Sequence, residues 1–76
     1  MIGSQYEFDI LFIAAVKDAK KYLQYRRDTP KKIINVENKI RNLYPTIAEY
    51  DREMKEKNIQ YIVKIANRQL DDELLV

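Results

Sequence analysis

The chain has no cysteine, no histidine and no tryptophan, and only one glycine and two prolines among its 76 residues. Each absence closes a class of chemistry. Without cysteine there is neither a disulfide nor a thiol nucleophile, and without cysteine or histidine the usual zinc-finger ligands are missing. Nucleophilic catalysis through a hydroxyl needs a base beside it. The chain's hydroxyl residues other than tyrosine are Ser4, Thr29 and Thr46, and all three stand where helix caps are expected. With Gly3 as the lone glycine, no glycine-rich phosphate loop can form. No cofactor is implied, and the chain reads as non-catalytic.

Long apolar runs are absent too. The longest, Ile10 to Val16, falls far short of the ~20 residues that span a bilayer. No basic segment precedes it and no small-residue cleavage site follows, so it does not read as a signal peptide. The expectation is no membrane partner and cytoplasmic residence. Abundant Ile, Lys, Asn and Tyr, residues with AT-rich codons, fit a low-GC genome, its phages or plasmids.

A 76-residue chain allows a single domain, residues 1–76, and buries only ~60% of its unfolded surface. Domains of this size usually add a staple: a disulfide, a metal or another subunit. With disulfides and zinc fingers excluded, very good helix packing or oligomerisation remains.

The helical signals are clear. Ser4-Gln5-Tyr6-Glu7 and Thr46-Ile47-Ala48-Glu49 both match the capping box, in which a hydroxyl and a glutamate satisfy opposite N–H groups. Asp28-Thr29-Pro30 offers a cap followed by a proline suited to a first turn. Tyr44-Pro45 marks a break, because the residue before proline is pushed away from helical dihedrals. The predicted fold is all-α: a small bundle of three helices over about 5–27, 30–43 and 47–70 with a tail at 71–76, completed by oligomerisation. Ile33, Val36, Ile40, Leu43, Ile47, Tyr50 and Met54 keep a three-four spacing across Pro45, so the second and third helices could also form one kinked rod. Asn58 could interrupt the third helix, although a continuous, irregular helix is the expectation. Alternating stretches within 5–13 and 59–65 also suit strands, making an α+β fold with a two-stranded ribbon the alternative.

Three features could carry function. The first is Ile10-Leu11-Phe12-Ile13-Ala14-Ala15-Val16. At 100° per residue it makes every face of the first helix apolar, whereas a helix in a three-helix bundle shows one side to water. Ala15 and Ala19 are four apart and permit a close helix approach. Ile10, Leu11, Phe12, Ile13, Ala15, Val16 and Ala19 are therefore the candidate contacts of a homo-oligomer, a dimer first, or of a protein partner. The C-terminal Leu74-Leu75-Val76 folding back is another way to cover that side.

The second feature is a basic band. Residues 17–41 hold nine lysines and arginines against three acids, a net +6, while the flanks on either side are each −2. Lys17, Lys20, Lys21 and Arg27, with Lys31 and Lys32 at the expected start of the second helix, are the candidate anion or nucleic-acid contacts. Tyr22, Tyr25 and Tyr44 are available for stacking. Against this stand a net charge of only +2 and the acids that open the third helix, which would repel phosphate. The third feature is Glu49, Glu53 and Glu56, one helical face of carboxylates that a metal could use. Acid-base pairs four apart, such as Asp51 with Lys55, also suit a plain solvated helix. The expected function is a non-catalytic interaction or regulatory protein that self-associates through its first helix. A nucleic-acid-binding accessory protein using the basic band is the alternative.

Overall fold

The computed structural model describes the backbone of residues 2–54 and 57–74 and the side chains of residues 8–53 and 57–73. Among the described residues the chain is all-α, with four helices: α1 (Ile2–Asp28), α2 (Val36–Leu43), α3 (Pro45–Met54) and α4 (Asn58–Leu74). The ribbon alternative is overturned, because residues 5–13 lie inside α1 and residues 59–65 inside α4. The apolar residues after Asn58 follow a helical period instead: Ile59, Ile62, Ala66 and Leu70 are all buried on one face of α4.

Several boundaries differ from the sequence expectation. The first helix is already under way at Ser4, so Ser4 is not its cap. The second begins six residues after Pro30. Thr29–Lys32 is a turn closed by the Lys32 N–H donating to the Thr29 carbonyl at 3.1 Å, with Pro30 at the second position that proline favours. Asn35 is the cap of α2, its backbone extended and its side-chain oxygen accepting from the Asn38 N–H at 3.0 Å. Glu37 in the first turn and Arg41 in the last complement the helix dipole.

A single residue separates α2 from α3. The Tyr44 N–H closes α2 on the Ile40 carbonyl, while the Tyr44 carbonyl accepts from Ile47 and Ala48 to open α3. Pro45 then takes the first helical position, where its missing N–H costs nothing. Thr46 is inside the helix rather than capping it. The alternative of one kinked rod is not formed: α2 and α3 are separate helices joined at Tyr44.

The third helix does not run on to Leu70. It ends at Met54, and α4 starts afresh at Asn58. Asp51 explains the new start: its carboxylate accepts from the Asn58 N–H at 2.8 Å and the Ile59 N–H at 3.0 Å. A side chain of α3 therefore caps α4. At the other end α4 continues to Leu74, into the stretch expected to form the tail. Arg27 pairs with Asp71 at 2.9 Å and donates to Asn67, and Lys20 pairs with Glu73. These cations on α1 neutralise carboxylates that would otherwise oppose the helix dipole.

The core draws on all four helices: Ala15, Val16, Ala19 and Leu23 from α1, Val36 and Ile40 from α2, Ile47 from α3, and Ile59, Ile62, Ala66 and Leu70 from α4. The alanines let α1 and α4 approach closely, and this is the main packing of the fold. Phe12 meets Tyr61 near one end and Arg27 meets Asp71 near the other, so α1 and α4 run in broadly the same direction. Each fully buried aliphatic side chain contributes about 1.5–3 kcal/mol. The six largest fully buried ones are Leu23, Ile40, Ile47, Ile59, Ile62 and Val36, a small core for a chain with no covalent staple.

Candidate functional site

The seven-residue apolar run of α1 is divided among three surroundings. Ala15 and Val16 are in the core, as is Ala19 beyond them. The close approach that Ala15 and Ala19 permit is therefore used within the chain. Leu11 and Phe12 pack against the edge of that core. Phe12 belongs to an aromatic row running Tyr50–Phe8–Phe12–Tyr61, with ring centroids 4.9, 6.4 and 6.1 Å apart. That row joins α3, α1 and α4 along one side. Ile10 and Ile13 remain, 50% and 61% exposed. Of the seven candidate contacts, these two present their side chains to solvent. The alternative cover, Leu74-Leu75-Val76, lies outside the described side chains.

Ile13 is the middle of a stripe. Asp9, Ile13 and Lys17 follow one another at four-residue intervals, and all three are exposed. Residues four apart lie one above the other on the same helical face, so an acid, an isoleucine and a base line up along α1, with Ile10 beside them.

The basic band is rearranged by its partners. Lys20 and Arg27 turn to Glu73 and Asp71 and leave the set of free cations. Lys31 and Lys32 sit in the Thr29–Lys32 turn, ahead of Asn35. The expected anion site at the start of the second helix is thus not formed, because that helix starts further on. Lys17 and Lys21 remain exposed on α1.

A nearby cleft gathers residues that the sequence leaves scattered. It has a volume of about 580 Å³ and lies between the C-terminal part of α1, the loop 29–35 and α2. Tyr22, Tyr25 and Ile34 line it together with Lys21, Lys32, Lys39 and Asp28. The Lys32 ammonium lies 5.8 Å from the Tyr25 ring centroid, and Lys39 lies 5.7 Å from that of Tyr22. Arg26 holds the loop in place by donating to the Ile34 carbonyl at 3.4 Å. Both tyrosines and two of the lysines stand among the sequence candidates, but the loop that folds Lys32 back onto Tyr25 falls where the sequence predicts helix.

No family model, curated protein or solved structure matches this chain. No described helix is long and apolar enough to cross a membrane. Of the carboxylate face, Glu49 and Glu53 are exposed on α3, and Glu56 lies outside the described residues.

Tyr44, the third stacking candidate, has a structural task. Its hydroxyl donates to Asp18 on α1 at 2.5 Å, tying the α2–α3 corner to the long helix. Burial, followed by the hydrogen bond and the nearby charge of Asp18, pushes its phenol up from 10.0 to about 12. The folded chain therefore holds this proton more tightly than the unfolded chain. The associated stability is complete below about pH 10 and is lost as pH rises toward 12. Tyr44→Phe, which has no proton to lose, should show a smaller fall in urea midpoint than wild type between about pH 9 and 11. The other tyrosines and the lysines are common to both proteins, so equal falls would contradict the assignment.

Proposed function

We propose that this chain is a non-catalytic interaction protein whose outward α1 face pairs two copies of the chain. The observation that carries this reading is the exposure of Ile13 and Ile10, 61% and 50%, on a helix whose neighbouring apolar residues Leu11, Phe12, Ala15 and Val16 are packed within the chain. The molecule is elongated, 42 Å along its longest axis, which is close to the ~40 Å length of a 27-residue helix.

The order of residues suggests how the copies meet. In a two-fold pair the same patch contacts itself. If two α1 helices lie antiparallel about Ile13, residue 9 of each falls opposite residue 17 of the other. Asp9 then meets Lys17 at both ends of the contact, with Ile13 at its centre. Paired rim charges of this kind set register and orientation more than affinity.

Charge exchange tests this arrangement. Asp9→Lys and Lys17→Asp singly place like charges at both ends of the contact and should weaken association several-fold. The double exchange restores opposite charges and should recover most of the affinity. Additive effects in the double variant would show that the two residues do not meet.

A further inference from the structure

We propose that the cleft between α1, the loop 29–35 and α2 binds single-stranded nucleic acid, with bases on Tyr22 and Tyr25 and phosphates at Lys21, Lys32 and Lys39. Its volume of about 580 Å³ falls within the range of pockets that hold small ligands. The lining supplies both chemistries that a nucleotide requires. Two aromatic rings offer flat apolar surface, and three lysines outnumber the single carboxylate of Asp28. The positive excess selects an anion. The rings select one with exposed planar groups, which an acidic peptide need not have and a duplex keeps stacked inside.

Spacing joins the two parts. Each of Lys32 and Lys39 places its ammonium within 6 Å of a tyrosine ring, so a phosphate held by the lysine keeps its own base within reach of the ring. Lys39 approaches the Tyr22 ring at the distance of a cation–π contact, a weak hold at an exposed site, and can swing aside for a base. Lys32 donates to the Tyr25 hydroxyl at 3.1 Å, so its ammonium lies at the hydroxyl edge of the ring and leaves the ring face open to a base. Among the described residues, neither Lys21 nor Lys39 has a carboxylate within ion-pair distance. Their charge is available, unlike that of Lys20 and Arg27. The cleft lies open beside the exposed Lys31 of the turn, a layout that suits a strand continuing past the tyrosines better than an isolated nucleotide.

The test is fluorescence anisotropy of a labelled thymidine oligonucleotide of about 15 residues, titrated at ~50 mM salt with the full chain. Tyr25 is 45% exposed, so replacing it leaves the core untouched. Tyr25→Ala should weaken binding about tenfold, and Tyr25→Phe, which keeps the ring, should bind like wild type. Lys32→Gln with Lys39→Gln should also flatten the dependence of log K on log salt by roughly 0.7 for each phosphate that is no longer held. Absence of binding, or binding indifferent to Tyr25→Ala, would overturn the proposal. So would a preference for duplex, or displacement of the strand by adenosine monophosphate at equal nucleotide concentration, which would assign the cleft to free nucleotides. Ile13→Glu lies outside the cleft and should leave this binding unchanged.

Discussion

Replacing Ile13 by glutamate is expected to yield a folded monomer, with association weakened at least a hundredfold. Ile13 is 61% exposed and takes no part in the aromatic row or the core, so a carboxylate there stays solvated in the single chain. In the antiparallel pair the two copies of residue 13 face each other. The substitution then puts two carboxylates together in the centre of an apolar contact, where burying an unpaired charge costs several kcal/mol. A hundredfold change corresponds to about 2.7 kcal/mol, well within that penalty. Phe12 is the necessary contrast. It touches Phe8 and Tyr61 within the chain, so Phe12→Glu should damage the fold itself. A helical circular-dichroism spectrum with an unchanged thermal midpoint at low concentration distinguishes the first outcome. Unfolding of Ile13→Glu would place Ile13 in the core and contradict the assignment.

Asp51→Ala is expected to lower stability by about 1–2 kcal/mol, the upper part of the range for removal of a helix cap. Two N–H groups lose their acceptor at once, and one belongs to Ile59, which is 1% exposed. A buried donor left unpaired incurs its full desolvation penalty. In a domain of 60–100 residues each kcal/mol moves the thermal midpoint by about 4–8 °C, so the variant should melt about 5–15 °C lower. Asp51→Asn keeps one side-chain oxygen but loses the charge that favours a helix N-terminus. Its midpoint should fall between those of wild type and Asp51→Ala. If Asp51→Ala melts within a degree or two of wild type, something other than this cap starts α4.

The contrast between Asp51 and Asn35 shows where sequence reading succeeds and where it stops. The helical content follows from apolar spacing, and α4 carries its buried face openly in Ile59, Ile62, Ala66 and Leu70. Asn35 is an equally local signal, an asparagine ahead of Val36-Glu37, but the proline at position 30 offers a competing start. The turn at Thr29–Lys32 resolves that competition. Asp51 has no local signature as a cap. It reaches Asn58 and Ile59 across a change of helix direction, and in sequence it looks like half of an ion pair with Lys55. The same limit hides the pairing of Lys20 with Glu73 and Arg27 with Asp71, 53 and 44 residues apart. A basic band and an acidic tail are both visible in sequence; which cations the tail neutralises depends on how α1 and α4 pack.

The candidate surfaces are legible to different depths. Seven apolar residues in a row make every face of α1 apolar there, and Ile10 and Ile13 are the part of it that stays exposed. Which two of the seven remain exposed depends on where α3 and α4 lie. The stripe Asp9–Ile13–Lys17 is present at four-residue spacing in the sequence, but it acquires meaning only once Ile13 is seen to be outermost. The tyrosine-lysine cleft depends on a loop whose course no local pattern indicates.

Sedimentation velocity of the wild type over a concentration series distinguishes the proposed pair from a single chain. Pairing through α1 should give a sedimentation coefficient that rises with concentration to that of a dimer by ~100 µM, in the affinity range open to a standard interface. A compact monomer of 9.1 kDa throughout the series would contradict it.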